Sequence, residues 1–296
     1  MKPAESGLTG KGKRIVARNF ARAAARYDHI AQFQRTVAER LLERLDVMRV
    51  TPELVLDLGC GTGSMSTGLK RRFPQATLLD IDLALPMLCQ SRPRWFWQRR
   101  RRHWLCADAE ALPLAEDCAG MAISNLMLQW CNSAHKAFEE IHRALRPQGL
   151  FIFSTLGPDT LLELRQSWAA VDEGVHVNDF LDLHDIGDLL LHAGLGEPVM
   201  EAERFTLTYD SGLGLMRDLK SLGAANANDG RRNSLTGKSR LQSMLAEYER
   251  FRADGRLPAT YEVVFGHAWK AGGAAPAPRD GAQPVRWLQR PGQRSA

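Results

Sequence analysis

The nine residues Val55-Leu56-Asp57-Leu58-Gly59-Cys60-Gly61-Thr62-Gly63 constrain this chain more than any others. A short apolar run carries one acid and then breaks into three glycines at alternate positions. Such a run is that of a buried parallel strand delivering the backbone into a tight loop. Glycine lacks a Cβ, so the loop can take positive φ and bring its peptide N–H groups close to a ligand. A nucleotide-like ligand is the natural occupant at the carboxyl end of a first strand. Taken alone, the same glycines also suit an ordinary strand-to-helix turn.

The spacing narrows the choice. A dinucleotide fingerprint is G-x-G-x-x-G. Counted from Gly59 and Gly61, its third glycine would fall on Ser64, but it comes one residue early, at Gly63. The tighter G-x-G-x-G resembles the glycine loop of S-adenosylmethionine (SAM)-dependent methyltransferases. Three further stretches fall where such a site needs them. Thr77–Asp82 reads as a second strand ending in acid. Asp82 there can accept both ribose hydroxyls in a charge-assisted pair. It precedes Met87-Leu88 by five residues, as in the family pattern D-x-S-x-x-M-L, with Ala84 in place of the serine. Asp80 is expected to face another way. A third strand, Trp104 to Ala107, leads to Asp108-Ala109-Glu110, where the acid can receive the adenine amino group. A fourth, Met121 to Ser124, opens into Asn125-Leu126-Met127-Leu128-Gln129-Trp130.

A chain of 296 residues, 25% charged and 44% hydrophobic, has ample material for a core in one or two domains. No apolar stretch approaches the ~20 residues of a membrane span, and the basic N-terminus has no apolar segment of the secretory kind. Five cysteines at irregular spacing predict free thiols in a reducing compartment, hence a cytoplasmic protein. No cysteine–histidine cluster has zinc spacing, and no metal is expected. Cys60 reads as a small residue fitting beside the ligand rather than a nucleophile, because no histidine neighbours it.

The pattern predicts an unstructured start over 1–13, then one domain over 14–270, and a flexible tail over 271–296. Residues 14–50 form a helical lid, with an apolar stripe at Val37, Leu41, Leu42, Leu45 and Met48. Strand and helix patterns alternate from there to a fifth strand at Leu150 to Leu156, which implies an α/β fold with a parallel sheet. Helices are expected over Ala134–Leu145, Leu161–Val171, Asp185–Ala193, Leu213–Leu222 and Leu241–Phe251. Strands six and seven, around Arg204–Tyr209 and Thr260–Trp269, are expected to close the sheet antiparallel. The stretch between them, about 210–258, is too long for a hairpin and predicts a helical cap. Before strand three stands Trp95-Phe96-Trp97-Gln98-Arg99-Arg100-Arg101-Arg102. Its arginines suit a solvated loop, an acidic protein partner or, less well, nucleic acid. The net charge of +5 favours an anionic partner only mildly.

With these residues in hand, the chain resembles the malonyl-[acyl-carrier-protein] O-methyltransferase family of biotin synthesis, over about Val16 to Trp269. The specific stretches are Arg22–Tyr27, Ser124–Cys131, Phe153–Pro158, Trp168–Asp172, Leu219–Asn226 and Ala259–Glu262. The arginine run and the segment after Lys270 depart from the family pattern. The resemblance implies a Rossmann-like class I fold with a seven-stranded, mostly parallel sheet. SAM would be held by Asp57, Gly59, Cys60, Gly61, Gly63, Asp82, Met87, Asp108, Ala109, Asn125 and Leu126. The acceptor would be the free carboxylate of malonyl-acyl carrier protein or malonyl-coenzyme A. Tyr27, Gln129, Trp130 and Arg165 would form the substrate side, with Tyr27 and Gln129 orienting it and Arg18 and Arg22 as further candidates. No general base is expected. The carrier would dock on Arg99, Arg100, Arg101 and Arg102. Other readings stay open at this stage. One is carbon methylation of a small molecule such as a quinone precursor, with His176 or His184 as base. A nucleic-acid methyltransferase lacks its D/N-P-P-Y/F/W motif here. The last is a non-enzymatic assembly factor on the same fold.

Overall fold

The computed structural model describes residues 10–93, 95, 100–174, 176–224 and 237–272. Residues 1–9, Arg99 and 273–296 lie outside the described residues, and with them most of the unstructured start, one of the four docking arginines and the flexible tail expected from the sequence. The N-terminal segment is α1 (Gly10–Ala23), α2 (Tyr27–Ile30) and α3 (Gln32–Arg44). The helix expected from residue 14 therefore begins at Gly10 and is broken at Ala31, whose ψ of 40° leaves the helical region.

Next come β1 (Leu54–Leu58), α4 (Ser66–Arg72), β2 (Thr77–Asp82), α5 (Leu85–Ser91), β3 (Arg102–Cys106) and β4 (Ala119–Asn125). They are followed by α6 (Ala134–Ala144), β5 (Leu145–Leu156), α7 (Leu162–Ala169), α8 (Leu183–His192) and β6 (Leu195–Tyr209). Last are α9 (Gly212–Ser221), α10 (Lys238–Glu249) and β7 (Leu257–Lys270). The strands make one seven-stranded sheet in the order β3-β2-β1-β4-β5-β7-β6. β1 to β5 pair in parallel, and β7 runs antiparallel to both neighbours. β6 therefore points with the parallel strands, and its antiparallel pairing with the reversed β7 closes the sheet as expected. The 15-residue β6 begins nine residues before the alternating stretch that announced it.

The sheet is covered on both faces, so its central strands carry apolar residues on both sides. β4 is buried from Ala119 to Ser124. One core joins α3, α4, α7 and α10 to the sheet; the other joins α6 and α8. The start of α6 is set by Ser133, whose Oγ accepts the Lys136 N–H as an N-cap. α9 and α10 lie between β6 and β7, in the stretch read as a cap.

A charged cluster lies inside this apolar frame. Arg102, at the start of β3, is 9% exposed, and Asp80 on β2 is fully buried. The guanidinium donates to Asp80 through Nε at 2.9 Å and through Nη2, and Nη2 also reaches Ser66 Oγ at 2.6 Å. This overturns the expectation that Arg102 belongs to a solvated docking cluster. Beside the pair, Asp57 is completely buried, and neither carboxylate oxygen has a hydrogen-bond partner among the described residues. Burial pushes its pKa well up, Asp80 adds to the rise, and Arg102 opposes it.

Two outcomes follow. Arg102→Met should cost about 3 kcal/mol or more in urea unfolding, since removing one partner strands a buried charge. Asp57 binds its proton more tightly folded than unfolded, so the stability it contributes is present at low pH and lost as pH rises through its raised pKa. Asp57→Asn should therefore raise the melting temperature at neutral pH and flatten its decline from acid upward, measured by calorimetry across pH.

Candidate active site

The glycine loop leaves β1 with Gly59, Gly61 and Gly63 at φ of 68°, 56° and 84°. These are left-handed values that a side chain resists. Each glycine also answers a different neighbour. A Cβ on Gly59 would come within 2.4 Å of Met127 Cγ. One on Gly63 would come within 2.7 Å of Arg102 Nη2. One on Gly61 would stand 4.0 Å from Tyr27 Cε1, across open space. Gly61 thus faces the site, and Gly63 fits the buried charge cluster beneath it.

At the carboxyl ends of β1 to β4 lies a cavity of about 820 Å³. Gly59 and Gly61 form one part of its wall. Asp82 is anchored in the wall by two backbone donors: the Gly61 N–H gives to Oδ2 at 2.9 Å and the Ala84 N–H to Oδ1 at 2.7 Å. Burial raises its pKa, and those two bonds work against the rise. Met87, Asp108, Ala109, Asn125 and Leu126 also line the cavity. Leu126 holds a φ of 50°, a strained value of the kind found where backbone is shaped around a site. Tyr27, Gln129 and Trp130 complete the group of expected residues in the lining.

The polar members are held in place. Asn125 Nδ2 donates to the Gln34 carbonyl at 3.1 Å, and its Oδ1 accepts from Ser154 Oγ at 2.8 Å. Gln129 Nε2 donates to the Leu126 carbonyl at 2.8 Å, and Thr155 Oγ1 donates to its Oε1 at 3.2 Å. Tyr27 packs edge-on to Phe20, with ring centroids 6.3 Å apart. Burial, then the charges of Asp82 and Asp28, push its pKa up, so its hydroxyl is a donor at neutral pH. Thr62 Oγ1 donates to Asp28 Oδ1, tying α2 down on the glycine loop.

Several expected residues fall outside the lining. Asp57 and Cys60 are buried behind it. Burial also pushes the Cys60 thiol well up, which suits a packing residue and not a nucleophile. Gly63 packs on the ion pair instead. Arg165 turns to the backbone, donating through Nη2 to the carbonyls of Thr160 and Asn178 at 3.4 Å each. Arg18 and Arg22 are exposed on α1, away from the cavity. Arg100 and Arg101 immediately precede β3, at the amino-terminal edge of the sheet and opposite the cavity. His184 has a side chain 92% exposed and takes no part.

Apart from His176, named above as a possible base, the other lining residues were not anticipated. Lys13 had been placed in the unstructured start, yet it belongs to α1 and reaches across to Asp108 at 2.5 Å and Glu110 at 2.9 Å. Burial lowers its pKa, and hydrogen bonds to those two carboxylates more than offset that, leaving it raised. His176 Nε2 lies 2.6 Å from Asp172 Oδ1, and its ring stacks on Trp168 at 3.7 Å. Phe33, Leu161, Leu164, Phe180, Phe205 and Tyr261 make a long apolar flank. These come from segments far apart in sequence, so no local spacing marks them; the helical apolar pattern of α3 was the only cue to Phe33.

Comparison with known proteins agrees with this geometry. A methyltransferase-domain family model matches residues 56–153. The malonyl-[acyl-carrier protein] O-methyltransferase of Methylovorus sp. (strain MP688) is 49% identical over 283 residues, covering 94% of this chain and 95% of that protein. The enzyme of the same name from Nitrosospira multiformis is 48% identical, covering 90% of each. Among solved structures, the YcgJ protein from Bacillus subtilis aligns at a TM-score of 0.56 and 14% identity, covering 80% of this chain and all but 1% of its own. The [4+2]-cyclase SpnF aligns at 0.51 and 17% identity, covering 81% and 82%. These structural likenesses speak to the fold alone, and a cyclase among them shows that the fold does not fix the reaction. The sequence relatives do more: at nearly half identity over almost the whole chain, this protein belongs to the malonyl-[acyl-carrier protein] O-methyltransferase family.

Proposed function

We propose that this protein transfers a methyl group from S-adenosylmethionine to the free carboxylate of a malonyl thioester on an acyl carrier protein. The product is the methyl ester that begins pimeloyl and biotin synthesis. The observation that carries the reading is the wall of the cavity: Asp82, pinned by two backbone N–H groups, beside a glycine loop with three positive φ angles.

Those residues fit the donor. Asp82 can accept the two ribose hydroxyls, and Gly59 and Gly61 let the backbone come close. Met87, Ala109 and Leu126 offer apolar contact to the adenine. Asp108 can accept its amino group, in competition with Lys13, which already holds that carboxylate. When bound, S-adenosylmethionine supplies a methyl group made electrophilic by its sulfonium. The rest is positioning. A carboxylic acid of ordinary pKa is ionised at neutral pH, so the chain has no proton to remove. Tyr27, kept protonated, can donate to the acceptor carboxylate, and Gln129 keeps its second amide hydrogen for the same purpose. Holding the reacting atoms at ~3 Å in line can by itself account for several kcal/mol of the barrier. The apolar flank from Phe33 to Tyr261 excludes water, which strengthens the attraction of anion for cation. Esterification then removes a charge that would be costly to bury in an apolar chain-elongating site.

The carbon-methylation alternative would need a base. His176 lines the cavity, its Nε2 held by Asp172, but the relatives argue for the carboxylate. Docking of the carrier through Arg99–Arg102 finds little support: Arg102 is buried, and Arg100 and Arg101 sit at the far edge of the sheet. No helix among the described residues is long and apolar enough to cross a membrane. All five cysteines are free, in keeping with a cytoplasmic setting.

Incubation with labelled S-adenosylmethionine and malonyl-carrier protein should yield a base-labile methyl ester by mass spectrometry; an unlabelled carrier would refute the reaction. Asp82→Ala should weaken S-adenosylmethionine binding about a hundredfold by calorimetry, as two hydrogen bonds to a charged group are lost. Because burial raises the Asp82 pKa, acidification should remove this acceptor, and with it donor affinity, at a pH above that of an exposed aspartate. Tyr27→Phe should lower kcat/KM for the malonyl thioester by about tenfold while leaving donor affinity unchanged.

A further inference from the structure

We propose that the outer face of α1 is the surface on which the acidic carrier protein docks. The proposal rests on the reaction assigned above, which makes a protein-bound thioester the substrate.

Arg14, Arg18 and Arg22 recur every fourth residue along α1 and are all exposed. That spacing sets them in one row. At about 100° per residue, the row is centred roughly 150° from the face made by Lys13, Val16, Ala17 and Phe20. That second face lines the cavity. One helix thus forms the wall of the site with one side and a basic stripe with the other. α1 holds no acidic residue. Among the described residues, no ion pair engages Arg14, Arg18 or Arg22. Like charges four apart repel and weaken a helix. Folding gains nothing from such a row, whereas an anionic partner would neutralise it.

The surroundings match an interface. α5 packs beside α1 and exposes Leu85 at 58%, with Leu83 at 38% just before it. The end of α9 also meets α1: a Cβ on Gly223 would stand 3.2 Å from the backbone of Asn19 and Phe20. α9 adds Lys220, exposed and also part of the cavity wall. Apolar spots within a basic rim are what a docking patch for an acidic protein requires. Distance favours the same face. A carrier seated on α1 stands about one helix diameter, ~10 Å, from the cavity that its arm must enter. Nucleic acid fits less well, because Phe20, the aromatic of α1, faces inward and leaves no stacking platform.

The test combines Arg14→Glu, Arg18→Glu and Arg22→Glu in one variant of the full chain. It is assayed with malonyl-carrier protein and with the N-acetylcysteamine thioester of malonate, which has no carrier. KM for the carrier substrate should rise about tenfold or more, with kcat, KM for the small thioester and S-adenosylmethionine affinity within about twofold. For the wild type, kcat/KM on the carrier alone should fall about tenfold from low to high salt, since screening weakens exposed charge pairs; this reading holds even if the variant folds poorly. An Arg100→Ser, Arg101→Ser variant should behave as wild type. Equal losses on both substrates, no loss on the carrier, or a loss confined to the Arg100 and Arg101 variant would each overturn the proposal. So would wild-type binding to duplex DNA or to anionic vesicles that is tighter than to carrier and lost in the triple variant. A wild type that methylates neither thioester would remove the reaction assignment instead. Calorimetric binding of the carrier, lost in the triple variant or not, would then still decide the docking face.

Discussion

The guanidinium of Arg102, sealed against Asp80 beneath the glycine loop, supports much of what lies above it. It fixes the floor on which Gly63 rests, bonds Ser66 at the start of α4, and lies in the field of Asp57. An ion pair so deep is costly to desolvate and adds little stability for its own sake. Its value is geometric. With the floor set, Gly59 and Gly61 can turn their peptide groups toward the cavity, and the Gly61 N–H can reach Asp82. The charge cluster and the cavity wall are therefore two sides of one loop.

Above the floor, the site is assembled from pieces with different rigidity. The sheet ends and the glycine loop are embedded in two apolar cores. The N-terminal helices are not: α1 and α2 are held by Lys13 on Asp108 and Glu110, by Thr62 on Asp28 and by a small contact group around Phe20, Met87 and Tyr27. A few partly exposed polar contacts open more easily than a packed core. A two-part division of this kind suits an enzyme that must admit a donor and a carrier-borne arm and then exclude water. Of these helices, α1 carries the arginine row, so an element that lines the cavity is also the one proposed to meet the partner.

The proposed reaction asks little of acid–base chemistry and much of placement. Its acceptor would arrive ionised, and the cavity offers it a protonated phenol, a locked amide and an apolar flank. Hence the site shows anchored side chains more than an activated nucleophile. Asn125 and Gln129 each have their orientation set by backbone and hydroxyl partners.

The local signals in the sequence determined the parallel half of the sheet, the glycine loop, the placing of Asp82, Asp108 and Asn125 at or just past strand ends, and that of Met87 in the segment following β2. Each depends on neighbours in the chain: an apolar run of strand length, a glycine where φ must be positive, an acid where a strand stops. Helices α9 and α10 fall in the stretch between β6 and β7 that its length had marked as too long for a hairpin. Only the tertiary structure decided which polar groups meet. It sent Arg102 inward to Asp80 rather than outward with its neighbours, sealed Asp57 away from the cavity, and turned Arg165 to backbone carbonyls. It also brought Lys13 and His176, 163 positions apart, to one cavity. Charge pairs and cavity walls are contacts between remote segments, and their energy depends on burial and distance, which no spacing along the chain records.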